Sequence, residues 1–152
     1  MRLTSKAFQM GDAVPRRHTC EGEDLSPPLF WSDVPETARS LLVLCEDPDA
    51  PGGVWHHWGL FDIPANSSGL PEGFPPGAHD GRIRQARNDF RLTAYGGPCP
   101  PVGHGQHHYH FRLLALDVES LGLPDGTACE KLEAAARGHV LETAELIGVF
   151  SR

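Results

Sequence analysis

The chain has 152 residues, enough for one domain over 1–152, and its 39% hydrophobic and 22% charged content belongs to a folded protein rather than a disordered one. A net charge of −7 without any run of Lys or Arg argues against a nucleic-acid groove or an anionic membrane surface as the main partner. No apolar stretch approaches the roughly 20 residues of a membrane span, and the first ten residues lack the apolar core of a signal peptide. Stable membrane insertion is therefore not expected.

In chain order, residues 3–8 and 29–31 read as short strands separated by polar Gly/Pro segments. The first firm element is SLLVLCE over 40–46, an unbroken apolar run that predicts a strand buried on both faces. It stops at DPDAPGG over 47–53, where two prolines and a glycine pair cannot continue a ladder. VWHHWGLFDI over 54–63 is the next strand; alternation puts Trp55, His57, Gly59, Phe61 and Ile63 on one face. Residues 64–92 show no periodicity and read as a long irregular segment, with Arg82, Arg84, Arg87 and Arg91 as a solvated face. The loop GGPCPPVGHGQ over 96–106 then feeds a strand in which His107, Tyr109, Phe111, Leu113 and Ala115 face one way, and His108 and His110 the other. Thr127 with Glu130 has capping-box spacing for a helix that buries Leu132, Ala135 and Ala136 and stops at Gly138. Residues 140–150 read as a helical piece passing into a closing strand. Strands dominate and no βαβ alternation is present, which predicts a mainly β, antiparallel sandwich with one helix near the C-terminus.

Three inward polar positions lie beside Pro/Gly-rich loops: Asp47 at the end of one strand, His57 early in the next, and His107 with Tyr109 at the start of a third. A carboxylate beside imidazoles fixes their tautomers and favours the protonated ring, and a tyrosine adds a hydroxyl donor. Together they would form a small site for phosphate, sulfate or carboxylate. The same residues also make sense as a hydrogen-bonded polar cluster at the edge of the core. No metal site is expected, because His107 points opposite to His108 and His110 on a strand, and Cys20, Cys45, Cys99 and Cys129 lack paired zinc spacing. The lack of a signal-peptide stretch and of a membrane span predicts a cytoplasmic protein with reduced thiols. A competing reading makes Cys99 the nucleophile of a hydrolase, with His57 or His107 as base and Asp47 as orienter.

Several stretches together resemble one known family: DPDAPGG over 47–53, His57-Trp58, RNDF over 87–90 and YGGPCPPVGHGQHHYHF over 95–111, supported by Thr19-Cys20, SPPL over 26–29 and Trp31. The chain resembles the phosphatidylethanolamine-binding protein family, in particular its bacterial and archaeal Raf-kinase-inhibitor-like branch. The resemblance implies a Greek-key β-sandwich and a small anion pocket that accepts phosphate-like groups, with no cofactor. Carried over position by position, the pocket residues are Asp47, Asp49, His57, Pro101, His107 and Tyr109. The resemblance further implies a cis X-Pro bond near DPDAP, for which Ala50-Pro51 is the better placed, and a homodimer, for which the apolar LIGVF of 146–150 offers a surface. His108 stands where the family has Arg, and Ala86, Arg91 and Ala94 stand at usual glycine positions. These departures leave the pocket residues in place. The expected role is a binding or regulatory module for a phosphorylated ligand or protein; a hydrolase, or an inhibitor of a kinase or protease acting through the 64–92 loop, are the alternatives.

Overall fold

The computed structural model describes residues 1–77 and 81–152; residues 78–80 of the 64–92 loop lie outside it. Two antiparallel sheets form the fold. The smaller contains β1 (Arg2–Thr4), β2 (Leu29–Ser32) and β5 (Gly69–Leu70), in the order β1-β2-β5. The larger contains β3 (Ser40–Asp47), β4 (Trp55–Pro64), β6 (Arg84–Gln85), β7 (His107–Leu116) and β8 (Val140–Phe150), in the order β6-β4-β3-β7-β8. Among the described residues one α-helix, α1 (Glu130–Ala136), precedes β8, and a 3-10 turn spans Arg16–His18.

The unbroken apolar run of β3 exists because both of its faces are covered. Leu41, Val43 and Cys45 join Leu3, Leu29 and Trp31 of the small sheet in the sandwich core. Leu42 and Leu44 point the other way, into a second core with Leu114, Leu116 and the helix residues Leu132 and Ala136. Strand β7 divides in the same manner, Tyr109, Phe111, Leu113 and Ala115 entering the sandwich.

Strict alternation fails in β4, where two register shifts interrupt its pairing with β3. Val43 and Leu41 oppose Leu60 and Ile63, so Leu42 faces two residues, Phe61 and Asp62, and Asp62 takes φ +55°. Cys45 and Glu46 oppose Trp58 and His56, leaving His57 as an extra residue on the bulged strand. In consequence Trp58, Leu60 and Ile63 reach the sandwich core while Phe61 packs toward the helix, instead of sharing a face with Ile63.

Other expectations are corrected locally. Thr127 does not cap the helix: its hydroxyl donates to the carbonyl of Pro124 at 2.7 Å, and Cys129 occupies the cap position without a side-chain bond. Residues 140–150 form one strand with no helical turn, paired along β7 with a single register shift that passes over Leu141. The 64–92 segment contributes two short strands, and Arg82 and Arg84 contact Glu119, Asp62 and Asp125 as ion pairs. The LIGVF run is partly spent at home, since Leu146 is in the sandwich core and a Cβ at Gly148 would meet Val14 at 2.5 Å and Phe8 at 2.8 Å. None of the described peptide bonds is cis, so Ala50-Pro51 is trans. No helix among the described residues is long and apolar enough to cross a membrane.

Candidate functional site

The thiol expectation is overturned in a way that shapes the site. Cys20 and Cys99 form a disulfide that closes 79 residues of chain, while Cys45 and Cys129 are free and buried. Burial pushes the Cys45 thiol up, and pushes that of Cys129 up to about 12, which keeps both protonated and inert. Cys99 carries no thiol, so the nucleophile of the hydrolase reading is absent. Disulfides persist in oxidising compartments, so the expectation of reduced thiols is corrected for Cys20 and Cys99.

That disulfide is one of several tethers holding the 96–101 loop against the N-terminal segment. Cys20 N–H donates to Pro98 O at 3.1 Å, Gly97 N–H to Asp24 Oδ1 at 2.8 Å, and the buried Tyr95 hydroxyl to His18 O at 2.7 Å. With its prolines fixing φ, the loop becomes a rigid wall. Gly96 and Gly97 have to be glycine for steric reasons: a Cβ at 96 would meet the Phe90 ring at 2.5 Å, and one at 97 would run into the His18 carbonyl.

Between this wall and the ends of β3, β4 and β7 lies a cavity of about 190 Å³. Its polar lining is Asp47, His57, His107 and Tyr109, brought together as the sequence predicts. Pro101 also lines it, with Pro100, Ala50, Pro51 and the aromatic pair Trp55 and Phe90. Asp49 does not line it. Its carboxylate instead accepts from the backbone N–H and ring Nδ1 of His108, both at 2.8 Å, which draws its pKa down and fastens the start of β7. His108 is exposed and His110 meets Glu145 at 3.0 Å, so both face away from the cavity. Among the described residues, no group of three His, Cys, Asp or Glu is placed to hold a metal ion.

Short hydrogen bonds join the polar groups. Asp47 Oδ1 accepts from the N–H of Asp49 at 2.8 Å and Oδ2 from His107 Nδ1 at 2.6 Å. His107 Nε2 in turn lies 2.6 Å from Nδ1 of His104. At the β4 bulge, His57 Nδ1 donates to the Gly96 carbonyl at 2.6 Å, and Gly96 N–H returns a bond to His57 O at 3.0 Å. Burial lowers the His57 pKa, which the Gly96 carbonyl only partly offsets, so the ring is neutral with Nε2 as an acceptor. Tyr109 lies edge-on to His57 at 5.3 Å; burial first, and then the negative charge of Asp47, push its pKa far above the usual phenol. Its hydroxyl thus remains a donor. That hydroxyl is also buried without a hydrogen-bond partner among the described residues. No Lys or Arg lines the cavity; Arg152 stands nearest in effect, its Nε donating to Pro100 O at 2.7 Å and its charge acting on Tyr109.

Phe90, which lines the cavity, and His104, which bonds His107, are residues that alternation and loop chemistry did not select. Phe90 arrives through the RNDF turn, where Asn88 Nδ2 donates to Ala94 O at 2.8 Å and its Oδ1 accepts from Leu92 N–H at 3.1 Å. The ring then stands edge-on to His57 at 5.4 Å and to Trp55 at 5.3 Å.

The sequence model of the phosphatidylethanolamine-binding proteins matches residues 4–151. The chain belongs to that family. A UPF0098 protein of Methanothermobacter thermautotrophicus is 47% identical over 154 residues, covering 100% of this chain and 99% of the relative. Among solved structures, YbcL of Escherichia coli, described as a new member of the mammalian PEBP family, superposes with a TM-score of 0.92 at 34% identity, covering 99% of this chain and 98% of YbcL. The PEBP homolog CT736 of Chlamydia trachomatis gives a TM-score of 0.87 at 38% identity over 99% of this chain and 97% of its own. These relatives share the mainly β architecture of two antiparallel sheets.

Proposed function

We propose that this chain is a binding module whose cavity takes a small phosphate-like headgroup, and that it acts by holding a phosphorylated ligand or protein rather than by turnover. The family is one of binding proteins by name, and the observation that carries the finer reading is the Tyr109 hydroxyl. A buried hydroxyl without a partner costs about 1–3 kcal/mol, a cost that a ligand oxygen placed in the cavity would offset. Next to this donor stands the acceptor His57 Nε2, a combination that suits a monoanionic phosphate ester, which offers P–OH to His57 and an unprotonated oxygen to Tyr109. The aromatic and proline walls suit an organic group carried on that headgroup. Alanine at His57 or phenylalanine at Tyr109 separates this reading from a purely structural cluster. Calorimetric titration with phosphoethanolamine and phosphotyrosine should give heats with wild type that fall at least tenfold in affinity for both variants. Equal affinities in all three proteins would rule it out.

A further inference from the structure

We propose that His104 is an internal stand-in for the ligand: it occupies Nε2 of His107 and is displaced when an oxyanion takes that nitrogen. This rests on the binding reading and specifies how the site is opened. Because the Asp47 carboxylate only accepts, the His107 nitrogen facing it, Nδ1, carries a proton. In the neutral ring Nε2 is then an acceptor, and His104 Nδ1, 2.6 Å away, supplies the N–H it receives. Both nitrogens of the pocket histidine are thereby committed. An unprotonated phosphate oxygen needs a donor, so it meets His107 only after the His104 ring has left and Nε2 has taken up one proton from solvent. The product is an imidazolium held between the Asp47 carboxylate and the phosphate.

The two histidines are built differently. His107 is 2% exposed and Asp47 3%, so their bond is fixed by packing. His104 is exposed, on a loop whose flanking Gly103 (φ +76°) and Gly105 (φ +93°) have open space around them. The loop backbone is itself tied down, His104 N–H to Pro101 O at 3.1 Å and Gly103 N–H to Arg152 O at 2.9 Å. Departure therefore needs only a side-chain rotation. The titratable and charged groups around the pair are Asp47, Asp49, His57, His108, Tyr109 and Arg152. Of these only Asp47 bonds to the His107 ring among the described residues, beside His104 itself.

The test is calorimetry with inorganic phosphate and with phosphoethanolamine on wild type and His104→Ala, in buffers of different ionisation enthalpy between about pH 6 and pH 8. Removing the competing bond should tighten binding about two- to tenfold, the worth of one net hydrogen bond. Nitrogen NMR of the histidine side chains should show phosphate moving the His104 Nδ1 resonance of wild type to that of a freely solvated ring. Equal or weaker binding by His104→Ala, or a His104 resonance indifferent to phosphate that binds, overturns the stand-in and leaves the binding reading intact. Heat from neither protein overturns both.

Discussion

The Cys20–Cys99 disulfide should dominate the stability of this fold, and its removal can be costed from the chain it closes. With the bridged positions 79 apart in sequence, the loop-entropy model gives about 4.5 kcal/mol at 25 °C, within the usual experience of about 2–5 kcal/mol for native bridges. The native strands keep their pairing when the bridge is cut. What changes is the freedom of the unfolded chain and the tether on the proline wall, which retains the Cys20 N–H to Pro98 O bond. For a urea dependence of about 2 kcal/mol per molar, the Cys20→Ala/Cys99→Ala protein should unfold about 2 M earlier than wild type. Reductant should move wild type by the same amount and leave the double variant unmoved. Thiol titration of the unfolded, unreduced chain should count the two cysteines 45 and 129. Four reactive thiols, or a midpoint indifferent to reductant, would refute the reasoning and restore the reduced-thiol expectation.

Three further outcomes follow from particular contacts. Tyr109→Phe removes a buried, unpartnered hydroxyl and should raise unliganded stability by about 1 kcal/mol, or about 2–4 °C in thermal midpoint, while weakening phosphate-ester binding. His57 has a pKa below its ordinary 6.5 in the folded state, so the unfolded chain binds the extra proton as pH falls. Its contribution destabilises the fold progressively below about pH 6.5, and His57→Gln should lose less stability than wild type between pH 7.5 and about pH 5.5 in urea melts. Leu132→Ala empties a fully buried helix position against β4 and should cost about 2–5 kcal/mol by the same assay, with no change in ligand affinity.

The sequence was most legible where periodicity met full burial. The run of 40–46 and the alternation from His107 onward identified β3 and β7, and with them the inward Asp47, His107 and Tyr109. His57 was right for a partly wrong reason: alternation placed it inward with Phe61, but its orientation comes from a bulge that a period-two pattern cannot contain. Bulges, the partners of isolated cysteines and the reach of a loop aromatic such as Phe90 are set by tertiary register. No local pattern encodes them. The separation of 79 positions between Cys20 and Cys99 carries no local signature, so their pairing could not be read along the chain. Asp49 shows the opposite failure: a motif shared with the family placed it in the pocket, whereas its carboxylate clamps His108 on the outside.

A crystal structure of the protein soaked with phosphoethanolamine decides whether the cavity beneath the 96–101 loop receives a phosphate-like group on Tyr109 and His57. Tetrahedral density within hydrogen-bond distance of Tyr109 Oη and His57 Nε2 is expected. Density confined to surface arginines, with the Tyr109 hydroxyl still unpartnered, would overturn the binding reading.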